Sequence, residues 1–272
     1  MGEPEINAFL THLAVAENLS ASTQNQARCS SYTGMCSGAK WAIEGVIRAR
    51  GSVNVPVVMT RGEVRDVLDQ LAGDKWLIAS LLYGSGLRLM ECLCLRVKDV
   101  GFTRGEITVH DGKGGKDRVT MLPASLDTPL QEHLRLVKIT HYRDLADGWG
   151  RVVLPAALDR KYPNAPADRR WQWVFPQPNR WKNRRTGEEG RHHIHETLVQ
   201  RAVRDAVGRA GVVKHVGCHT FRHSFATHLL ETGYDIRTIQ ELLRHKDVRT
   251  AMIYTHVLNR CGQGVRSPLD AL

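Results

Sequence analysis

The sequence lacks the features that define several classes of protein. Its six cysteines include no C-x-x-C pair and follow no regular spacing, so they do not indicate a disulfide framework. Aromatic residues make up only 6% of the 272 positions. No apolar run approaches the roughly 18 residues that a membrane-spanning helix needs, and no signal peptide is recognisable. We therefore expect a protein of the cytoplasm with reduced thiols and no membrane partner.

Metal ligands are also poorly represented. One zinc-binding alternative would combine His192, His193 and His195 with Cys218, but no H-x-x-x-H spacing supports it. A metal-dependent nuclease would need clustered carboxylates, and the sequence has none. We accordingly expect neither a metal nor another cofactor.

Acidic residues are scarce in the second half of the chain. Residues 151–272 carry 21 Lys and Arg against 11 Asp and Glu, whereas residues 1–150 carry 17 of each. Nine of the 13 histidines also lie in the second half. This one-sided balance favours a phosphate backbone as partner and predicts salt-sensitive binding. Charge alone is equally compatible with a basic protein that has no polyanionic partner.

The apolar periodicity predicts a mainly α fold with a small antiparallel β-sheet. Residues 5–19 have a helical pattern, residues 28–40 are polar and aperiodic, and residues 51–56 form a linker. Thr60 and Glu63 resemble a capping box that opens a helix. Alternating apolar residues at 107 and 109 and at 119 and 121 flank a glycine-rich turn and predict a β-hairpin.

The remainder of the chain predicts helices on either side of a long insert. Residues 123–143 have a helical pattern, and helices resume at about residue 195 and continue to 258. Between them, residues 144–190 form a loop-rich insert with five of the ten prolines.

The most informative stretch runs from His219 to Tyr254. His219 and Arg222 are three residues apart and share one face of a predicted helix, and His245 and Tyr254 follow. Two imidazoles, a guanidinium and a phenol suit a phosphate that is bound by cationic donors and attacked by the tyrosine oxygen. The alternative is a helical segment with ordinary exposed histidines.

Further cationic residues precede this stretch. Arg88 and Glu91 follow the Gly84–Gly86 turn at the start of a helical pattern. Lys113 and Lys116 lie in the predicted hairpin turn, where a mobile ammonium could protonate a leaving oxygen. An isolated hairpin lysine would more often be simply solvated.

Taken in order, these residues resemble the catalytic set of the tyrosine recombinase (phage integrase) family. The set comprises Arg88, Lys113, His219, Arg222, His245 and Tyr254. The stretches LPAALDRKYPNA, W-x-W-V-F and RHHIHE and the ending GVRSPLDAL resemble integron integrases in particular. The resemblance covers essentially all of residues 55–272 and implies a site-specific recombinase.

The resemblance implies a division of labour among these residues. Tyr254 would form a 3′-phosphotyrosyl intermediate, Arg88 and Arg222 would bind the phosphate oxygens, and Lys113 would protonate the leaving oxygen. His219 and His245 would add hydrogen bonds, with His219 the favoured acceptor of the tyrosine proton. Glu91 would support Arg88. Relatives usually carry glycine where this chain has Arg244, which places activity in question.

The resemblance also implies an architecture and partners. Residues 57–272 would form the catalytic domain with the insert at about 144–190, and residues 1–50 a truncated, irregular core-binding region. The partners would be a duplex attachment site and a folded single-stranded cassette site, bound by a homotetramer on the bacterial nucleoid. The expected function is the integration and excision of gene cassettes. The alternative is a catalytically impaired, DNA-binding remnant of such an integrase, and a type IB topoisomerase-like enzyme would lack the insert.

The insert is the predicted site of base recognition. Tryptophans alternate there with cations, an arrangement that suits unstacked bases held against side-chain rings. The resemblance adds a neighbouring histidine pair that would hold extruded bases. The predicted DNA-binding residues are Arg169, Arg170, Trp171, Trp173, His192 and His193. For each tryptophan the alternative is that it pins a long loop to the core.

Overall fold

The computed structural model describes residues 3–15, 23, 56–110, 117–154, 156–182, 187 and 189–243. The chain divides into two units, Met1–Asn54 and Val55–Leu272. In the first unit, helix α1 spans Glu3–Val15, which overlaps the predicted helical stretch 5–19, and it buries Leu10. The aperiodic stretch 28–40 and most of the predicted linker lie outside the described residues.

The second unit begins with a capped helix. Helix α2 spans Arg61–Asp69, and the Thr60 hydroxyl accepts a hydrogen bond from the Glu63 N–H at 3.2 Å. The Glu63 carboxylate in turn accepts from the Thr60 N–H at 2.7 Å, so the predicted capping box is confirmed. Val64 and Val67 are the buried side of this helix, because they lie three residues apart on one face.

The core is built around helix α3, Gly73–Gly84. This helix is buried along a continuous run from Leu77 to Leu82, because helices pack against it on several sides. Those neighbours are α4 (Leu89–Leu93), α5 (Asp127–Ala146), α7 (Glu196–Arg209) and α8 (Cys218–Glu231). The apolar core they share extends to the strands of the sheet and to Phe221 on α8.

The sheet has strand order β1-β2-β3. Strands β1 (Val100–Gly101), β2 (Glu106–Val109) and β3 (Arg118–Met121) are antiparallel, which confirms the predicted hairpin. The inner face of β2 carries Ile107 and Val109, as its alternation indicates. On β3, however, Arg118 and Thr120 are buried, whereas the apolar Val119 and Met121 are exposed. Polar residues therefore occupy the inner face of β3.

The segment between α5 and α7 is loop-rich, as predicted, but it has a small core of its own. Short elements punctuate it, namely helix α6 (Ala156–Lys161), 3₁₀ turns at Ala165–Ala167 and Arg169–Trp171, and strands β4 (Trp181–Lys182) and β5 (Glu189–Gly190). Val152, Leu154, Ala165 and Trp173 form a separate buried cluster. The predicted helix at 123–143 divides into a 3₁₀ turn, Ala124–Leu126, and α5.

Three helices complete the described part of the chain. His195 caps α7 by accepting a hydrogen bond from the Thr197 N–H, and α8 is followed by α9, Ile236–Leu243. The predicted fold class, mainly α with a small antiparallel sheet, is confirmed. Among the described residues, every helix is too short or too polar to cross a membrane.

The capping box at the start of α2 makes a stability prediction. Replacing Thr60 by alanine removes the hydroxyl acceptor, and the loss of such a cap costs about 0.5–2 kcal/mol. We expect the urea midpoint of Thr60→Ala to fall accordingly. Thr103→Ala is the matched control, because Thr103 is an exposed threonine in the turn before β2. Equal urea midpoints for the two variants would show that the cap contributes nothing to the free energy of unfolding.

Candidate active site

The Glu91 carboxylate lies at the centre of a cluster of arginines. Arg88 is the residue before α4, and its backbone N–H donates to Glu91 Oε2 at 2.8 Å. The Arg88 guanidinium donates to Glu91 Oε1 at 2.6 Å, while 45% of its side chain remains exposed. Because Glu91 is the third residue of α4, one turn of helix brings it back to Arg88. This contact is compatible with the predicted role of Glu91 as a support for Arg88.

Arg222 approaches the same carboxylate from helix α8. Its Nη1 lies 3.7 Å from Glu91 Oε2, and the side chain is only 4% exposed. Nη1 donates to the Gly86 carbonyl, and Nη2 donates to the Leu243 carbonyl at 2.6 Å. The structure therefore brings Arg88 and Arg222, which are 134 positions apart in the chain, to one carboxylate.

Gly86 makes this approach possible. Its φ of +62° is in the left-handed region, and a Cβ built there would lie 2.5 Å from Phe225 and 2.9 Å from Leu243. Glycine is the residue that meets both the conformational and the steric requirement. The turn before Arg88 thus packs directly against α8 and the end of α9.

A third arginine, Arg118, completes the cluster, although its sequence context did not predict it as a site residue. Arg118 donates from Nη2 to Glu91 Oε2 at 2.5 Å and from Nη1 to the Leu242 carbonyl at 3.0 Å. Its side chain is 7% exposed on the inner face of β3. The available signal was a charged residue in strand register with Val109, on the face that the hairpin buries.

The electrostatics of the cluster keep Glu91 ionised. Burial raises the pKa of Glu91, but the Arg88 N–H and the positive charges of Arg118, Arg88 and Arg222 outweigh burial and hold the pKa below its ordinary value. One negative charge thus faces three guanidinium groups. The cluster has an excess of positive charge, which suits an anion such as a phosphate.

The predicted histidine of this helix lies beside the cluster. His219 is exposed on α8, one turn before Arg222. His223, one helical turn after His219, was not predicted as a site residue. Burial, reinforced by the charges of His219 and Arg222, lowers the pKa of His223 to about 4, so this imidazole is neutral at physiological pH.

Four residues of the prediction fall outside the described part of the chain. They are Lys113 between strands β2 and β3, and Arg244, His245 and Tyr254 after Leu243 in the sequence. The described residues end at Leu243, whose carbonyl is bound by Arg222.

The two tryptophans predicted to bind bases occupy different environments. Trp173 is 8% exposed in the small core of the insert. The Arg96 guanidinium lies 3.0 Å from its ring centroid, and the rings of His192 and His193 lie 5.5 and 5.2 Å away. A base could not stack on Trp173 without displacing these groups. For this residue the geometry favours the alternative, in which the tryptophan pins the loop to the core.

Trp171 borders an open cleft instead. Its ring is half-buried, with the Lys98 ammonium 4.4 Å from the ring centroid. The cleft has a volume of about 660 Å³. Its remaining walls combine apolar, aromatic and charged side chains, including Lys161, Tyr162, Asp168 and Arg170. The cleft thus combines two aromatic rings, two ammonium groups and a guanidinium that is paired with the Asp168 carboxylate, and its net positive charge can accommodate a flat, polar, negatively charged ligand.

The other predicted insert residues are on the surface. Arg169 and Arg170 are exposed, and Arg170 is paired with Asp168 at 2.7 Å. The rings of His192 and His193 are 4.1 Å apart, and His193 Nδ1 is 2.8 Å from the Ile194 carbonyl oxygen. Burial, together with the charge of His193, lowers the pKa of His192. The two rings are thus in contact, and His192 is partly buried by that contact while the rest of its side chain is exposed.

The zinc alternative has no support in the described residues. His192, His193 and His195 lie before α7, whereas Cys218 is buried at the start of α8. Within the part of the chain that the structure describes, no group of three or more His, Cys, Asp or Glu side chains is arranged to hold a metal ion.

Known proteins resemble this chain along most of its length. The phage integrase family matches residues 58–260. An Escherichia coli protein named integrase/recombinase is 48% identical over 276 residues, covering 100% of this chain and 82% of its own length. The tyrosine recombinase XerA of Pyrococcus furiosus is 33% identical, covering 75% of this chain and 58% of its own length.

Solved structures show the same fold. The XerH site-specific recombinase bound to a palindromic difH substrate aligns with a TM-score of 0.61 and 20% identity, over 97% of this chain and 72% of that one. The XerA recombinase crystal structure aligns with a TM-score of 0.54 over 98% of this chain and 85% of that one. The arginine cluster, the family match and the identity to its relatives agree. The chain belongs to the phage integrase family of tyrosine recombinases and is a site-specific recombinase enzyme.

Proposed function

We propose that this chain is an integron-type integrase, which cuts and rejoins DNA to integrate and excise gene cassettes. The observation that carries the proposal is the arginine cluster at Glu91, with Leu243 bound to it and Tyr254 following eleven residues later. The excess positive charge suits a phosphodiester as the reacting group. The integron-like stretches of sequence supply the subtype.

The reaction exchanges one phosphodiester for another. The Tyr254 hydroxyl attacks phosphorus, the bond from phosphorus to the 5′ oxygen breaks, and a 3′-phosphotyrosyl link forms. His219 accepts the tyrosine proton, Lys113 gives a proton to the departing 5′ oxygen, and His245 adds a hydrogen bond to the developing charge. In the reverse direction a 5′ hydroxyl attacks the phosphotyrosine, so bond energy is conserved and no nucleotide cofactor is consumed.

The two family arginines contribute differently to phosphate binding. Arg88 keeps nearly half of its side chain exposed, whereas Arg222 is buried and donates to two backbone carbonyls. We therefore expect Arg88 to contact a non-bridging oxygen first. Arg222 would then exchange one carbonyl contact for the second oxygen, which couples phosphate binding to the end of α9.

DNA is the proposed partner, in duplex and folded single-stranded form. The structural relatives include XerH bound to its difH substrate. In addition, residues 151–272 carry 21 basic and 11 acidic residues, and this positive charge supports a polyanionic partner. Exchange of strands between two duplexes requires four tyrosines. A homotetramer on two DNA sites is therefore the proposed active assembly.

The cleft at Trp171 supports recognition of a folded single strand. A fully paired duplex keeps its bases stacked, whereas an imperfect hairpin presents extrahelical bases. Trp171 has an accessible ring beside cationic side chains, and Trp173 does not. Trp171 is therefore the proposed stacking residue, with Arg169, Arg170, His192 and His193 as neighbouring DNA contacts.

A catalytically impaired, DNA-binding remnant is the second candidate. Arg244 is the sequence feature that favours it, because the resemblance to tyrosine recombinases implies glycine at the position before the second catalytic histidine, where this chain has arginine. An arginine there adds a side chain where close backbone approach is expected. Such a chain would retain the arginine cluster, and with it phosphate affinity, without completing the reaction.

Tyr254→Phe tests the nucleophile. We expect this variant to form no covalent adduct with a nicked suicide DNA substrate, because the attacking oxygen is lost. Its affinity for the same DNA should change by no more than about threefold, or roughly 0.7 kcal/mol. Adducts are counted by denaturing gel electrophoresis. Tyr142→Phe is the control, since Tyr142 is an exposed tyrosine on α5. Adducts that persist in Tyr254→Phe would identify another nucleophile.

Single replacements of the two insert tryptophans separate stacking from packing. Trp171→Ala should erase the preference for imperfect over paired hairpins, because one stacked base contributes about 1–3 kcal/mol. Trp173→Ala should instead lower stability by about 3–5 kcal/mol, as expected for a buried aromatic residue. The measurements are competition gel shifts and thermal melting. A preserved hairpin preference in Trp171→Ala would show that the cleft does not recognise bases.

Arg244→Gly distinguishes the two candidate functions. If Arg244 impairs the site, the adduct rate of Arg244→Gly should rise by about tenfold or more, equivalent to roughly 1.4 kcal/mol in barrier height. Arg237→Gly, at an exposed position of α9, is the control for loss of a basic residue. An active wild type whose rate is unaffected by Arg244→Gly would rule out the remnant.

A further inference from the structure

The inner face of β3 is polar, although it faces the core. Thr120 donates from its hydroxyl to the Ser85 carbonyl at 2.8 Å, in the turn that precedes Arg88. Arg118 donates to Glu91 in α4 and to the Leu242 carbonyl in the last turn of α9. Both residues are less than 10% exposed. A buried polar side chain is tolerated when its hydrogen bonds are satisfied, so these contacts fix the strand to its neighbours.

We propose that Arg118 is a positioning residue, which couples the phosphate-binding arginines to the chain segment that carries His245 and Tyr254. Its two terminal nitrogens bind Glu91 Oε2 and the Leu242 carbonyl at the same time. This inference rests on the proposed reaction, in which those two residues act. Arg118 itself is buried and would touch no DNA.

The connection is direct in sequence. Leu242 and Leu243 are the last described residues of α9, and His245 follows Leu243 by two positions. Arg118 binds the first carbonyl and Arg222 binds the second. The two arginines therefore bind neighbouring backbone carbonyls in the last described turn of α9.

Arg118 also influences which arginine each oxygen of the Glu91 carboxylate binds. Glu91 Oε1 binds Arg88, and Oε2 binds Arg118 and lies near Arg222. Without Arg118, the carboxylate would be free to draw Arg222 away from the Gly86 and Leu243 carbonyls. In sequence, Arg118 follows Lys113 by five positions.

The planar guanidinium is what makes the bridge possible. Lysine keeps the charge, but a single ammonium on a flexible stem cannot reproduce the fixed fork geometry that reaches two acceptors on different elements. Arg118→Met removes both contacts and leaves a buried carboxylate one partner short, which lowers stability strongly. Arg118→Lys is therefore the primary test variant, and Arg118→Met the secondary one.

The first measurement is covalent adduct formation at saturating suicide DNA. Arg118→Lys should slow it by about ten- to a hundredfold, since an ångström of misplacement in an active site costs up to roughly a hundredfold. DNA affinity should remain within about threefold, because Arg118 makes no DNA contact. In a Glu91→Gln background, the same replacement should cost less than in the wild type.

Arg191→Lys is the matched control. Arg191 also bridges a carboxylate and a carbonyl, donating to Asp144 and to the Gln177 carbonyl at 3.1 Å, but it lies in the insert. We expect a similar loss of thermal stability and an unchanged adduct rate on paired DNA. An equal loss of rate in both variants would overturn the proposal, because it would reflect general destabilisation.

The second measurement does not depend on activity. Amide hydrogen exchange of the α9 peptide, residues 236–243, should accelerate in Arg118→Lys and Arg118→Met and stay unchanged in Arg191→Lys. Unaltered exchange in both Arg118 variants would overturn the proposal. A wild type that forms no adduct would contradict the proposed function instead, and the exchange experiment would still decide whether Arg118 holds the end of α9.

Discussion

The interaction on which the site depends is that of one carboxylate with three arginines. Glu91 brings together α4, α8 and β3, which come from distant parts of the chain. Each arginine would repel the others without it, and burial of Arg118 and Arg222 would be costly. The carboxylate neutralises only part of their charge. The remaining positive charge is what the proposed phosphate-binding role would use, so in that proposal the same contact stabilises the fold and prepares the site for its substrate.

Backbone carbonyls accept hydrogen bonds from arginine N–H groups that do not bind the Glu91 carboxylate. Arg222 binds the carbonyls of Gly86 and Leu243, and Arg118 binds that of Leu242. The Gly86 carbonyl lies in a left-handed turn, and the carbonyls of Leu242 and Leu243 lie in the last described turn of α9. The positive residues thus position backbone as well as substrate, which explains why residues so deeply buried belong to a site that must bind DNA.

Much of this arrangement could be predicted from sequence, because it is encoded locally. The capping box at Thr60, the antiparallel hairpin and the helical register of His219 and Arg222 all follow from short spacings. Arg118 could not be found in this way. Its neighbours Val119 and Met121 suggested an apolar inner face, whereas the tertiary contact with Glu91 turns the strand the other way. Likewise, composition could not distinguish Trp171 from Trp173, since they differ only in their tertiary packing: Arg96, His192 and His193 surround Trp173, whereas Trp171 borders the open cleft.

The small core around Trp173 has a consequence for how such an enzyme diversifies. Because Val152, Leu154, Ala165 and Trp173 pack among themselves, the insert has an internal anchor distinct from the main core. Substitutions on its outer surface can accumulate without disturbing that anchor or the cluster at Glu91. Under the proposed function, in which the insert recognises bases, lineages could therefore acquire new DNA preferences through substitutions in the insert while the bond-breaking chemistry stays constant.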